Sequence, residues 1–364
     1  MLEVALQHRL GDLALDVTFR APAGVTVLFG RSGSGKTSVI NAVAGLLRPD
    51  RGRIVVDHRV LLDTGAGVSL PPWRRRLGYV FQDGRLFPHL SVRQNLAYGA
   101  RFAPGGAAGA ELDQVVEMLG IGPLLGRRPG ALSGGEKQRV AIGRALLSAP
   151  DMILADEPLA ALDAARKDEI LPYFERLRDV VSVPILYVSH SASEVARLAT
   201  TVVALEAGRV VRQGTAEVVL GDPAPLPTGP REAGAVLSAR VHRHHDDGLT
   251  ELEAGGEALF LPRLPQAPGS RVRLRIAAHD VILSRGRPEG LSALNILPGR
   301  VHEVHPGAGP GAIVALDTPA GRVLARITGR SAAALGLAPG VTVHAVIKSV
   351  AVARSDIGGE PLSV

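Results

Sequence analysis

Three apolar runs within the first 190 residues do not alternate with polar residues, and each delivers polar residues at its C-terminal end. Val25–Phe29 ends at Gly30 and is followed by Gly33 and Gly35. Beyond those glycines, Ser38–Leu47 carries apolar residues at Val39, Ile40, Val43, Leu46 and Leu47, the spacing of a helix with one buried face. The local order is therefore strand, Gly-rich turn, helix. Met152–Ala155 ends in Asp156–Glu157, and Pro184–Ser189 ends at His190. Apolar runs without alternation suit strands covered on both faces, so these predict buried parallel strands in an α/β layer fold.

The pattern changes near Gly221. The stretch Gly221–Pro230 holds Pro223, Pro225, Pro227 and Pro230, too dense for a helix or a central strand, and reads as a linker. Downstream, short Val-rich segments alternate with Gly/Pro turns, as in a small β-barrel or sandwich. An imperfect duplication runs through this region. Val236–His242 resembles Ile296–His302, and Pro268–Gly269 leads into Val272–Arg285 as Pro339–Gly340 leads into Val341–Arg354. The expected organisation is residues 1–221, a linker over 222–234, a first β-barrel half over 235–290 and a second half over 291–364.

Composition narrows the function classes. A length of 364 residues calls for two or three domains, and an aromatic content of 3% leaves Val, Leu, Ala and Ile to build the cores. No cysteine is present, which excludes disulfides, thiolate metal sites and thiol catalysis. The net charge of +6 is carried mostly by scattered arginines rather than a basic tail, so it does not single out nucleic acid. Met1–Val4 lacks the features of a signal peptide, and no window approaches the ~18–20 apolar residues of a spanning helix. Work at a membrane would then require docking onto another subunit.

Gly30-Arg31-Ser32-Gly33-Ser34-Gly35-Lys36-Thr37 fits G-x-x-x-x-G-K-[ST]. Its glycines let successive backbone N–H groups turn inward around phosphate oxygens, and the following helix adds its positive N-terminal end. Lys36 is expected on the β- and γ-phosphates of ATP, and the Thr37 hydroxyl on Mg²⁺. Asp156 is placed to hold that Mg²⁺ through water, and Glu157 to deprotonate the water that attacks the γ-phosphate.

Leu132-Ser133-Gly134-Gly135-Glu136-Lys137-Gln138 resembles the signature sequence of ATP-binding-cassette (ABC) ATPases, and precedes the Asp156–Glu157 strand as in that family. A helix Glu136–Ala149 is expected to follow it. The resemblance implies that Ser133, Gly134, Gly135 and Glu136 face the γ-phosphate held by an opposite subunit, so that two cassettes sandwich two ATP molecules as a homodimer. By the same resemblance Gln82 senses Mg²⁺ and γ-phosphate and contacts a membrane permease. Asp163 links the two sites across the dimer, and His190 is the switch histidine that holds Glu157 and water. Adenine is usually stacked on an aromatic residue ahead of the phosphate loop. Here Gln7–Gly11 has none, leaving His8, Leu10 or Phe19.

Residues 291–354 resemble the molybdate-binding (TOBE/Mop) domain of molybdate-importer ATPases, through Ser292–Gly299, Leu324–Thr328, Leu335–Gly340 and Ile347–Val350. Within the cassette, Ser38–Ala42 and Gly78–His89 are similar to the same subfamily. The implied fold is a P-loop ABC cassette followed by an all-β domain of small OB-like barrels in tandem halves. The implied function is ATP hydrolysis driving molybdate import through permease subunits fed by an external binding protein, at the cytoplasmic face of the cell membrane. Ser292, Asn295, Lys348 and Ser349 supply groups suited to an oxyanion, although Leu294 stands where a basic residue is common. Histidines at 242, 244, 245, 302 and 305, without Cys or a patterned acid, read as solvated loop residues rather than metal ligands. Tungstate or sulfate/thiosulfate import is the nearest alternative. A soluble ATPase acting on nucleic acid fits less well, with one phosphate loop, one signature and no heptads.

Overall fold

The computed structural model describes residues 1–101, 111–160, 162–180, 183–224, 227–229, 232–307 and 309–359. The chain divides into two compact units: Met1–His190 with Leu198–Gln213, and Ser191–Arg197 with the chain from Gly214 onward.

The first unit is built on β1 (Leu2–Leu10), β2 (Leu13–Ala21), β3 (Val25–Phe29), β4 (Arg51–Val56), β5 (Arg59–Asp63), β6 (Val68–Ser69), β7 (Leu77–Val80), β8 (Met152–Asp156), β9 (Ile185–Ser189), β10 (Thr201–Glu206) and β11 (Arg209–Gly214). They form one sheet in the order β6-β5-β4-β1-β2-β11-β10-β3-β9-β8-β7. Strands β10, β3, β9, β8 and β7 run parallel, and every residue of β3 and β9 is buried. β1, β2 and β4 to β6 pair antiparallel. In β2 alternate residues Leu15, Val17, Phe19 and Ala21 are buried while the residues between them are exposed, so this part of the sheet covers one face only.

Helices α1 (Lys36–Ala44), α2 (Val92–Ala100), α3 (Leu112–Leu119), α4 (Gly134–Leu147) and α5 (Ala164–Val180) complete the described part of this unit. α1 stops short of the expected Leu47 because Gly45 adopts a left-handed conformation (φ 81°) and its N–H closes back on the helix. The buried Arg75 guanidinium then takes the exposed carbonyls, donating to Ala42 O at 2.6 Å and Val43 O at 2.8 Å. α4 begins two residues before the expected Glu136 because Ser133 caps it.

The second unit contains α6 (Ala192–Leu198) up to Arg197, α7 (Ala216–Leu220) and α8 (Gly329–Ala334). Its strands are β12 (Gly234–His244), β13 (Leu249–Ala254), β14 (Glu257–Pro262), β15 (Arg271–Ala277), β16 (Val281–Ser284), β17 (Asn295–Pro306), β18 (Gly311–Thr318), β19 (Gly321–Thr328), β20 (Thr342–Ile347) and β21 (Ile357–Gly359). Two five-stranded sheets result, β14-β13-β12-β15-β21 and β16-β20-β17-β18-β19. The duplication read from sequence is visible in both. β12 pairs with β13 and β15 as β17 pairs with β18 and β20, and the bulge between Val241 and Arg243 recurs between Val301 and Glu303. Gly269 N–H donates to Val241 O, and Gly340 N–H to Val301 O, each at 2.7 Å.

The halves also exchange their edges. β16 follows the first four strands but pairs with β20, whereas β21 follows the second four but pairs with β15. One apolar cluster serves both, running from Leu237, Leu252 and Leu274 to Val314, Leu316 and Val343. A half of roughly 60 residues is near the lower limit for an independent core, and here neither half has one to itself. The histidines at 242 and 244 lie in β12, and those at 302 and 305 in β17, so they are strand residues and not loop residues. His244 spans Thr250 Oγ1 (2.9 Å) and Gln266 O (3.0 Å), and His302 lies 2.9 Å from Asp317.

Buried arginines hold the helices to the strands of this unit. Arg273 donates to Glu217 of α7 at 2.9 Å, and Arg275 to Asp356 at 3.1 Å. Asp356 also accepts the Ser193 hydroxyl of α6 at 2.7 Å, so the helix after His190 is fastened here. Burial raises the Glu217 pKa, but Arg273, the Thr215 hydroxyl and the backbone together outweigh it and hold the carboxyl below its usual range. The fully buried Asn295 side chain joins the halves: its Oδ1 accepts Phe260 N–H at 2.7 Å and its Nδ2 donates to Phe260 O at 3.0 Å. Asn295→Ala leaves both backbone groups unmet and is expected to cost roughly 2–4 kcal/mol, read as a lower denaturant midpoint of the full chain. An unchanged midpoint would show that the pair does not clamp the halves.

Candidate active site

The register of the parallel strands collects the sequence-predicted groups. Phe29 lies opposite Ser189, and Asp156 opposite Val188, so Gly30, His190 and Glu157 all leave the sheet at its C-terminal edge. This edge is where ligands bind in open α/β sheets. Gly33 (φ 82°) and Gly35 (φ 100°) make the turn, and a Cβ on Gly30 would lie 2.4 Å from Leu205 O. α1 starts at Lys36 with no side-chain cap and no acidic residue in its first turn, so its positive end is open to an anion. The Lys36 ammonium is buried and folds over the loop, donating to Gly30 O and Arg31 O at 2.8 Å each. Burial lowers its pKa, against the pull of Glu157 and Asp156. Ser34 is buried with its hydroxyl unpartnered, while Arg31, Ser32, Gly33 and Thr37 are exposed.

Thr37 Oγ1 lies 3.4 Å from Asp156 Oδ1, and the Tyr79 hydroxyl 3.3 Å from Asp156 Oδ2. A hydroxyl and a carboxylate converging beside a phosphate loop are hard oxygen donors, the set that Mg²⁺ takes. Glu157 holds a left-handed backbone (φ 43°), fixed by its N–H on Val188 O at 3.2 Å. Such a conformation costs a non-glycine residue about 1–3 kcal/mol and directs the side chain off the strand line. Its carboxylate lies 3.3 Å from His190 Nδ1 and 3.9 Å from Lys36 Nζ. Gln82 is exposed in the turn after β7, away from these contacts.

Ser133 is exposed and caps α4. Its hydroxyl accepts Glu136 N–H at 3.3 Å, and Glu136 returns a bond to Ser133 N–H at 2.7 Å. The Glu136 carboxylate is therefore spent within its own helix, and that backbone bond holds its pKa below the usual range. A Cβ on Gly134 would meet the Leu162 side chain and one on Gly135 the Ile170 side chain of α5, each at 3.3 Å, so larger residues there would crowd these neighbours. Asp163 caps α5, its Oδ1 accepting Arg166 N–H at 2.9 Å.

Several residues outside the motifs shape the site. Gln138 donates to Phe81 O at 3.2 Å, and Arg144 to Gly84 O at 3.1 Å and Arg85 O at 2.9 Å, so α4 grips the turn bearing Gln82. Only Gln138 was signalled, as the end of the signature. Phe19 belongs to the sheet core and is unavailable for stacking on adenine. His8 Nδ1 is 3.1 Å from Asp50, and Leu10 is exposed. In the second unit Ser292 and Lys348 are exposed, whereas Ser349 is buried with an unpartnered hydroxyl. The register Asn295↔Ile347 brings these stretches side by side, yet the Asn295 amide is committed to Phe260.

A phosphate loop, the Asp156 carboxylate beside Thr37, a strained Glu157 and His190 meet on one parallel edge, the arrangement of a P-loop nucleotide-hydrolysing cassette. Residues 15–160 match the ABC transporter family, and residues 291–353 the TOBE domain. The chain is 54% identical to the molybdenum import ATP-binding protein ModC of Mesorhizobium japonicum over 366 aligned positions, covering 100% of this chain and 99% of that one. It is 54% identical to the ModC of Rhizobium meliloti, covering 96% and 99%. Among solved structures, cbiO1 of Clostridium perfringens, part of the ABC transporter complex cbiONQ, aligns at TM-score 0.51 and 26% identity over 61% of this chain and 90% of that one. A dimeric bacterial ABC transporter cassette, MJ0796, aligns at 0.50 and 27% over 59% and 99%. The chain belongs to the family of molybdenum import ATP-binding proteins.

Burial first, and then the Glu157 charge, push the Asp156 carboxyl pKa up against the hydroxyls of Tyr79 and Thr37. A carboxyl whose folded pKa is raised destabilises the fold at pH above that value, and the penalty fades as pH falls through it. Asp156→Asn is therefore expected to raise the thermal midpoint of the nucleotide-free protein at pH 8, with the gain shrinking as the pH is lowered through the acid range towards the ordinary carboxyl value of 3.8. A constant difference across that range would contradict the account.

Proposed function

We propose that this chain is the ATP-hydrolysing subunit of a molybdate importer, acting as a homodimer of cassettes beneath integral-membrane permease subunits. The observation that carries the reading is the pairing of His190 with Glu157 at 3.3 Å beside the phosphate loop, in a chain that matches its ModC relatives end to end.

ATP phosphates replace the Gly30 and Arg31 carbonyls as partners of Lys36, and the loop N–H groups and the α1 N-terminus share their charge. Thr37, Asp156 and Gln82 are the residues that would hold Mg²⁺. When bound, that ion would supply charge neutralisation and orientation of the terminal phosphoryl group. Glu157 accepts the proton of the attacking water, and His190 fixes the carboxylate and bonds the γ-phosphate. Ser133, Gly134 and Gly135 of a second copy close over that phosphate, with Glu136 shaping their helix end, and Asp163 links the two sites across the pair. Closing on ATP and reopening after hydrolysis would then alternate access through the permease. Among the described residues no helix is long and apolar enough to cross a membrane, which suits a subunit attached to the cytoplasmic face through its partner.

Molybdate is favoured over tungstate or sulfate by the relatives, which are molybdenum import proteins, and the exposed Ser292 and Lys348 with the unpartnered Ser349 hydroxyl suit an oxyanion in the second unit. In proteoliposomes containing the assembled importer and its external binding protein, molybdate is expected to stimulate ATP hydrolysis severalfold. Stimulation by sulfate alone would overturn the assigned cargo and leave the ATPase assignment standing.

A further inference from the structure

Two stretches that resemble the importer subfamily, Ser38–Ala42 and Gly78–His89, have no part in the chemistry above apart from Gln82, yet they meet at one phenol. The Tyr79 hydroxyl lies 3.2 Å from Asn41 Oδ1 on α1 and 3.3 Å from Asp156 Oδ2 at the end of β8. A phenol has one proton and cannot donate to both. An amide rotated by 180° exchanges its oxygen for its nitrogen at no cost in shape, and then Asn41 donates to the phenol oxygen and the phenol donates to the carboxylate. That arrangement satisfies all three groups. It also points the phenol's only proton at the oxygen of Asp156 that Thr37 does not touch.

We propose that Tyr79 is a positioning residue for the metal site: it fixes the rotamer of the Asp156 carboxylate, and Asn41 fixes Tyr79. A carboxylate that takes a metal through one oxygen or a water needs its other oxygen held, or it loses orientation on binding. Half-buried between β7 and α1, Tyr79 offers that second contact from the same strand that leads to Gln82. Its ring stacks on Phe81 (centroids 4.0 Å apart, 17° between planes), and the Arg85 guanidinium lies 4.3 Å from the Phe81 centroid. The turn bearing Gln82 is thus fastened to the carboxylate by a column of ring, ring and guanidinium. The hydroxyl bonds Asn41 and Asp156, so its effect on the metal passes through Asp156.

The proposal rests on Asp156 as a metal ligand, and the experiment separates the two. Mn²⁺ is titrated by electron paramagnetic resonance onto the full chain loaded with a non-hydrolysable ATP analogue, and the analogue's affinity is measured in EDTA as a control. Tyr79→Phe keeps the stacked ring and removes only the hydroxyl. It is expected to weaken Mn²⁺ binding about five- to tenfold while analogue affinity in EDTA stays unchanged, the loss of one well-placed hydrogen bond to a charged ligand. Asn41→Ala, which leaves the phenol in place, is expected to weaken it about two- to threefold, and decides the matter if Tyr79→Phe fails to fold. Weakening in Asp156→Asn but in neither of the other variants overturns the proposal alone. No weakening in Asp156→Asn overturns the metal assignment, and the proposal with it.

Discussion

Backbone hydrogen bonding among β3, β9, β8 and β7 places each group of the nucleotide site. Parallel strands in register end together, so the residues just beyond Phe29, Asp156 and Ser189 are brought to one edge, although Gly30 lies more than a hundred positions before Glu157 and His190 in sequence. A slip of one residue in any of these strands would turn Asp156 away from Thr37, or Glu157 away from His190. The buried apolar side chains of β3 and β9 forbid such a slip, because every residue on both strands is packed. The register is therefore secured by the core, and the chemistry inherits its geometry from packing that never touches a nucleotide. Arg75 extends the same logic to the far end of α1, where it bonds the helix's last carbonyls and keeps Lys36 and Thr37 at a fixed height above the sheet.

Groups that are held firmly without ligand are also held at some cost. Lys36 is buried against carbonyls, Glu157 stands in a left-handed conformation, and Asp156 is desolvated beside another acid. Preorganisation of this kind is what lets fixed dipoles act on a developing charge without reorganising. The second unit follows a different principle. Its two halves repeat one strand pattern down to the bulge, then trade β16 and β21 so that a single core serves both. Asp356 adds a bond from the Ser193 hydroxyl, three positions after His190 in the chain.

What could be read from sequence was what short-range physics dictates. Gly30, Gly33 and Gly35 are forced by backbone conformation and close approach, so their spacing alone announces a phosphate loop. The apolar runs of β3, β8 and β9 announce burial on both faces. The Ser-x-x-Glu pattern at Ser133–Glu136 carried the signal of a capping box, and the resemblance directed attention to an opposite subunit instead. Long-range pairs left no such trace. Tyr79, Asn41 and Asp156 meet through separations of 38 and 77 residues, and neither Tyr79 nor Asn41 matches a nucleotide motif. Asn295 has the composition of an anion ligand, and only the coordinates reveal that its amide is spent on Phe260. Strands of four and three residues, as in β16 and β21, are too short to announce which sheet they join.

The central claim is that Glu157 is the base of a site completed by a second copy of the chain. It is tested most directly by following Glu157→Gln with Mg²⁺ and ATP, measuring molar mass by light scattering and the identity of the bound nucleotide together. The account predicts a stable dimer that retains two intact ATP molecules per pair and releases no phosphate. A monomer that converts ATP to ADP at the rate of the unsubstituted chain would contradict it.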